Sequence, residues 1–383
     1  MKRNYIAKRF QNAGSGLTLD TEALAKYKDI IDLSIGDTDF ITDEGIINAA
    51  FRDAKAGYTR YGDPKGDPEL IDAVCRAWQE DFEQKLPHDH VLVSASSCLG
   101  MALVMFSILD PGDEVIVFSP YFPMYRTQIE LAGGVCVDVP TYASEDYAID
   151  EAHLRAAITP RTKAIIFNNP TNPTGMAYGN DTLEMLACVA KEYDLLIAAD
   201  EIYTTYLYEG DFRPLRTLPG MAERTITLNS FSKNFLMTGW RVGVIIAEPE
   251  LLEVMNDING SLIYTAPSIS QRAAIHALAM RREIREKYVT AYRDRIFYTA
   301  DRIEKIPYLS LVRPKGTFYL FPGIEKTGLT DDEFCNVLLD KAHVLVSHGK
   351  AFGTAGAGHF RIACTVGIDT LKIAFDRMEK LSF

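Results

Sequence analysis

The segment SFSKNFLMTGWRVG, residues 230–243, follows the β-branched run TITLN and sets Lys233 just beyond a strand end. A lysine at a strand end facing a crevice is suited to hold a carbonyl as a Schiff base, because the imine carbon must meet both a bound cofactor and an incoming amine. Ser230, Ser232 and Arg241 flank it with hydroxyl and guanidinium donors. That set suits a phosphate, whose oxygens take charge-assisted, bidentate hydrogen bonds. An isolated SxSK reads more readily as a solvated lysine in a serine-rich loop; the added Gly239, Arg241 and Gly243 distinguish this segment from that reading.

Positioning such a lysine takes a sheet whose strands end at a common crevice. From residue 90 onward short β-branched runs alternate with helical stretches, the pattern of a mainly parallel sheet covered by helices. Strands are predicted at HVLVSAS, EVIVFSP, VCVDVPT, KAIIFNNP, LLIAADE, TITLNSFS and RVGVIIAEP, with helices at LGMALVMFSILD, DTLEMLACVAKEY and PELLEVMNDING. After TAPSIS, the charged amphipathic stretch from Gln271 to Ile306 is predicted as a long helix leading away from the sheet. Short strands follow in LSLVRP, GTFYLF, AHVLVS and HFRIAC, with the helix TDDEFCNVLLDKA among them. The expected division is a large α/β domain, residues 41–266, and a smaller α+β domain formed by residues 1–40 and 267–383.

The chain has 383 residues, 47% of them hydrophobic, enough for a large core and two domains. Its formal net charge of -12 repels phosphodiester backbones and anionic headgroups, so neither nucleic acid nor a membrane is expected as partner. The basic start MKRNYIAKRF leads into QNAGSG rather than an apolar run, and the six cysteines form no CxxC pair. A cytoplasmic protein with reduced thiols and no metal is expected.

The order S-x-S-K followed by G-x-R-x-G resembles the class I/II aminotransferases, which are fold-type I pyridoxal-phosphate-dependent enzymes, and the resemblance extends over nearly the whole chain. It implies a large domain built on a mainly parallel seven-stranded sheet, Lys233 on the cofactor aldehyde and Arg241 on its phosphate. The family's other landmarks occur in order. LLIAADEIY brings Asp200, which by resemblance keeps the pyridine nitrogen protonated, and Tyr203, which donates to the cofactor's O3′. NNPTNPTG supplies Asn172, an amide for O3′ and the substrate. VSASSCLGMAL stands at the phosphate-cradling turn, with Ser97 and Cys98 as the matching residues; Ser96 and Ser97 replace the usual glycines. PYFPMY places Phe122 where the family stacks an aromatic on the ring. GYTRYGDPKGDPEL matches the stretch whose tyrosine, here Tyr61, reaches the phosphate across a homodimer interface. Near the C-terminus Arg361 matches the clamp on the substrate α-carboxylate, and Gly36 in LSIGDTDF the glycine beside it; Thr38 stands where the family often has proline.

The resemblance implies transfer of an amino group from an amino acid to a 2-oxo acid, with Lys233 as general base and acid. The same residues serve a C–S β-lyase of this fold, which is the alternative; GDTDF and NPTNPTG favour the aminotransferases. A non-catalytic regulator built on this fold carries a DNA-binding module, which the early start of the resemblance and the acidic charge argue against. Some aspartate-type relatives carry a lysine where this chain has Cys98, so neutral or aromatic donors are expected over aspartate. Tyr5, Phe10, Tyr264 and Tyr319 are candidates for apolar pocket surface.

Overall fold

The computed structural model describes residues 25–383 together with Tyr5 and Ala7. At its centre lies a seven-stranded sheet of β2 (Val91–Ser94), β3 (Glu114–Ser119), β4 (Val135–Pro140), β5 (Thr162–Asn168), β6 (Leu196–Asp200), β7 (Thr225–Ser230) and β8 (Gly243–Ile246), in the order β2-β8-β7-β6-β5-β3-β4. Strands β7, β6, β5, β3 and β4 pair in parallel, whereas β8 runs antiparallel to both β2 and β7. The central strands read as unbroken apolar runs because both faces are covered; every residue of β3 is buried. On one face lie α3 (Ser97–Ile108), α4 (Met124–Leu131) and α8 (Pro249–Leu262). The other carries α6 (Asn180–Glu192). The parallel order puts the C-terminal ends of β5, β6 and β7 side by side, where an α/β sheet opens its binding crevice.

A second core gathers Ile31, Leu33, Ile296, Ile303, Phe334, Leu371 and Phe375. Around it β9 (Tyr319–Leu320), β11 (Ser347–His348) and β12 (Phe360–Ala363) form an antiparallel sheet, and β1 (Ile31–Asp32) pairs in parallel with β10 (Val344–Leu345). Helix α11 (Asp331–Val337) opens on a capping box in which the Thr330 and Glu333 side chains each take the other's backbone N–H.

Two expectations need correction. The stretch from Gln271 to Ile306 is not one helix but two, α9 (Ser268–Ala279) and α10 (Arg281–Ile303), parted at Met280 with φ -98° and ψ 8°. Helix α9 packs on α1 (Glu44–Lys55) and α2 (Pro68–Phe82), and Arg272 ties it to Asp53 at 2.8 Å and Asp67 at 3.3 Å. Helix α10 then leaves for the second core; no Gly or Pro marks the bend, so the periodicity runs through it unnoticed. LSLVRP is not a strand either. Ser310 exchanges both backbone hydrogen bonds with Gly323, and the chain then turns so that Lys315 and Gly316 donate to the Gly175 carbonyl.

Candidate active site

A cavity of about 790 Å³ lies between the ends of β5, β6 and β7 and a wall built from residues 34–37 and 345–361. Every residue expected to act in catalysis or to hold cofactor or substrate carboxylate, except Tyr61, lines it. Lys233 sits on α7 (Phe231–Asn234), the single turn that follows β7, where the Ser230 hydroxyl accepts from the Ser232 N–H at 3.1 Å. Its Nζ donates to the Gly36 carbonyl oxygen on the opposite wall. Arg241 adopts a left-handed backbone, φ 55°, and lines the cavity near the start of α3. Two residues on, a Cβ at Gly243 would come within 2.7 Å of the Ser97 nitrogen, so β8 runs this close to the helix N-terminus only with glycine. Gly239 faces open space and has no such constraint.

The serines that replace glycine have distinct uses. Ser96 holds φ 108°, a conformation glycine usually takes, and its hydroxyl caps α3 by accepting from the Leu99 N–H at 3.2 Å. Ser97 and Cys98 form the first turn of α3, where backbone N–H groups have no partner within the helix and the dipole favours an anion. Cys98 is exposed at the cavity wall; partial desolvation by its surroundings raises its thiol above the usual range, so it stays neutral, and the Gln128 amide donates to its backbone oxygen at 2.8 Å and its sulfur at 3.4 Å.

Asp200 ends β6 and is 6% exposed. One carboxylate oxygen, Oδ2, accepts from the Tyr125 hydroxyl, while Oδ1 is buried without a protein partner. Burial pushes this carboxyl up to about 6, against the hydrogen bonds from Tyr125 and the Ile202 backbone. A buried, unpartnered carboxylate oxygen is costly unless a donor arrives, and a protonated ring nitrogen is such a donor. With the α3 N-terminus, Arg241 and the serines available for a phosphate, the residues present fit pyridoxal phosphate.

On the facing wall Arg361, in β12, is 2% exposed. It donates from Nη1 to Asn172 Oδ1 at 3.0 Å and from Nη2 to the Ser34 carbonyl and the Ser347 hydroxyl. Its Nε is buried without a partner, so the guanidinium retains a donor and an uncompensated charge for a carboxylate. Gly36 is dictated by space, since a Cβ there would lie 1.8 Å from the Tyr319 hydroxyl oxygen. Thr38 replaces the rigidity of proline with hydrogen bonds: its Oγ1 pairs with the Tyr292 hydroxyl and accepts from the Phe40 N–H at 3.1 Å.

Tyr61 lies outside this cavity, 84% exposed, with its ring edge-on to Tyr264 at 5.1 Å. Of the residues proposed as apolar pocket surface, Tyr319 lines the cavity, Tyr264 and Tyr5 do not, and Phe10 falls outside the described residues. Sequence reasoning missed Tyr125 and Gln128. Both follow Phe122 at intervals of three, the spacing that puts side chains on one helix face, and that was the available signal.

Similarity to known proteins agrees with this geometry. Residues 28–378 match the family Aminotransferase class I and II. An aspartate aminotransferase of Pyrococcus abyssi is 36% identical, with 93% of this chain and 92% of that one covered. An aromatic-amino-acid aminotransferase of Thermococcus litoralis is also 36% identical, covering 92% and 91%. A solved structure of a double mutant of Thermus thermophilus aspartate aminotransferase superposes with a TM-score of 0.94 at 32% identity, covering 99% of this chain and 100% of that one. The chain belongs to the class I and II aminotransferases, enzymes that use pyridoxal phosphate to move an amino group from an amino acid to a 2-oxo acid.

Proposed function

We propose that Lys233 is the amine that would bind the cofactor aldehyde and, once freed by the substrate amine, the base whose Nζ would carry the proton from the substrate Cα to C4′ of the cofactor. The observation that carries this reading is the buried, unpartnered Oδ1 of Asp200, a residue that lines the same cavity as Lys233. When bound, pyridoxal phosphate supplies an electron sink for the pair left as the Cα–H bond breaks. Asp200 holds the ring nitrogen protonated, Tyr203 donates its phenol to O3′, and Phe122 lies against the ring. With Asn172 Oδ1 accepting from Arg361, the amide nitrogen is the end that donates to O3′. The first N–H groups of α3 at Ser97 and Cys98, with Ser230, Ser232 and Arg241, hold the phosphate. Arg361 and Gly36 take the substrate α-carboxylate. Borohydride reduction of the yellow protein followed by peptide mapping is expected to leave cofactor mass on the peptide containing Lys233; label on another lysine overturns the assignment.

The active unit in this reading is a homodimer in which Tyr61 reaches the partner's phosphate, supported by the exposure of that phenol and its distance from its own cavity. Light scattering during assay is expected to find the active species at twice the chain mass, and a fully active monomer removes Tyr61 from the site. The assignment of residues 41–266 to a large lobe, and of 1–40 with 267–383 to a small one, is supported by the second core, with α9 packing back on the large one. Placement in the cytoplasm is supported by six unpaired cysteines.

Neutral or aromatic amino acids are the donors this site favours. The lysine and arginine side chains lining the cavity among the described residues are Lys233, Arg241 and Arg361, each already assigned; the His348 imidazole there lies 2.7 Å from Asp332. A distal carboxylate facing the neutral Cys98 thiol loses its hydration without gaining a partner, at a cost of several kcal/mol. Relatives named for aspartate and for aromatic donors stand at the same 36% identity, so similarity leaves the donor to the pocket. A half-reaction screen over the common amino acids is expected to rank a neutral donor first; aspartate or glutamate ahead by about tenfold in efficiency, ~1.4 kcal/mol, refutes it.

A further inference from the structure

Tyr319 stands where three of these residues converge. It is 2% exposed, and the Tyr203 hydroxyl donates to its hydroxyl at 3.3 Å. The Arg361 guanidinium lies 4.5 Å over its ring and 4.9 Å over that of Phe352. Its oxygen presses on Gly36, whose carbonyl takes the Lys233 ammonium. We propose that Tyr319 is a positioning residue that directs the Tyr203 hydroxyl at the cofactor's O3′ through its own hydroxyl and holds Arg361 in plane through its ring. The proposal rests on the roles assigned above to Tyr203 and Arg361.

A phenol has one proton to give and lone pairs to receive. When Tyr203 donates to O3′, its oxygen is left to accept from Tyr319, and a phenol that accepts is a stronger donor. Donation to O3′ competes with the proton carried on the lysine–cofactor linkage. Weaker donation therefore raises the pH at which that proton is lost, and the visible absorbance band reports it. The ring acts separately, by giving a buried planar cation a face to lie on.

Two substitutions in the holoenzyme separate these roles. Tyr319→Phe keeps the ring and removes the hydroxyl, and is expected to raise the pH midpoint of the visible band by about half a unit, ~0.7 kcal/mol, with the Kd for 3-phenylpropionate unchanged. Tyr319→Leu is expected to raise the midpoint equally and to weaken 3-phenylpropionate, an amine-free carboxylate, at least about fivefold, because the face under Arg361 is gone. Tyr203→Phe is the reference: it should move the midpoint by itself, and adding Tyr319→Phe to it should move it no further. An unshifted midpoint in Tyr319→Phe beside a shifted one in Tyr203→Phe overturns the hydroxyl role and leaves the site assignment standing. An unshifted midpoint in Tyr203→Phe overturns the Tyr203 assignment and this proposal with it. Equal carboxylate affinity in the Phe and Leu variants overturns the ring role.

Discussion

Lys233→Ala is expected to abolish both turnover and the visible absorbance of the lysine-bound cofactor. The substitution removes two functions together. The amine that captures the aldehyde is lost, and so is the base placed to move the proton at Cα. Positioned acid–base catalysis alone contributes roughly 10² to 10⁴-fold, so transamination should fall by at least about four orders of magnitude once the anchor is lost as well. The fold should survive, because Nζ faces the cavity and makes its hydrogen bond to the Gly36 carbonyl rather than to a core element. A purified Lys233→Ala protein that still yields a borohydride-reducible adduct on its own chain would place the reactive amine elsewhere.

The second large effect is expected at Asp200. In Asp200→Ala the ring nitrogen loses the buried carboxylate that keeps it protonated, and an unprotonated ring is a poorer electron sink. Removing one partner of a buried ion pair costs roughly 3–5 kcal/mol, which corresponds to a loss of roughly 10² to 10³-fold or more in the single-turnover rate. A rate within a few-fold of the parent would take Asp200 out of the mechanism. The cofactor-free protein offers an independent measurement. There burial raises the carboxyl from 3.8 to about 6, so the folded form binds its proton more tightly than the unfolded chain does. Stability of the apo-protein should therefore fall as pH rises from about 4 to about 6 and then level off, by roughly 3 kcal/mol from this group. Asp200→Asn should abolish that component, and identical apo-protein pH profiles for parent and variant would contradict the burial of an ionisable group here. Tyr125, which donates to Asp200, is the residue through which the carboxylate is oriented.

The sheet and its lysine were legible in the sequence because both are written locally. Most of the seven strands are short β-branched runs, and the central ones become strands because both faces are covered; Lys233 needs only the end of β7 and one turn of helix to reach the crevice. The order of the landmarks sufficed to name Asp200, Asn172, Arg241 and Arg361 as candidates that share a cavity. What these residues touch was decided by tertiary structure. Arg361 meets Asn172 across 189 residues of chain and Ser34 across 327, and no periodicity links positions that far apart. The helix break at Met280 was invisible for a related reason. Its sequence suits a helix, and the surfaces that bury it change only along its length: Ala273, Ala274 and Ala277 share one core with Ile284, Tyr288 and Tyr292, whereas Ile296, Ala300 and Ile303 join the second. The requirement for glycine at position 36 likewise arises only when the Tyr319 hydroxyl is brought against it from β9, a contact made by packing between distant segments.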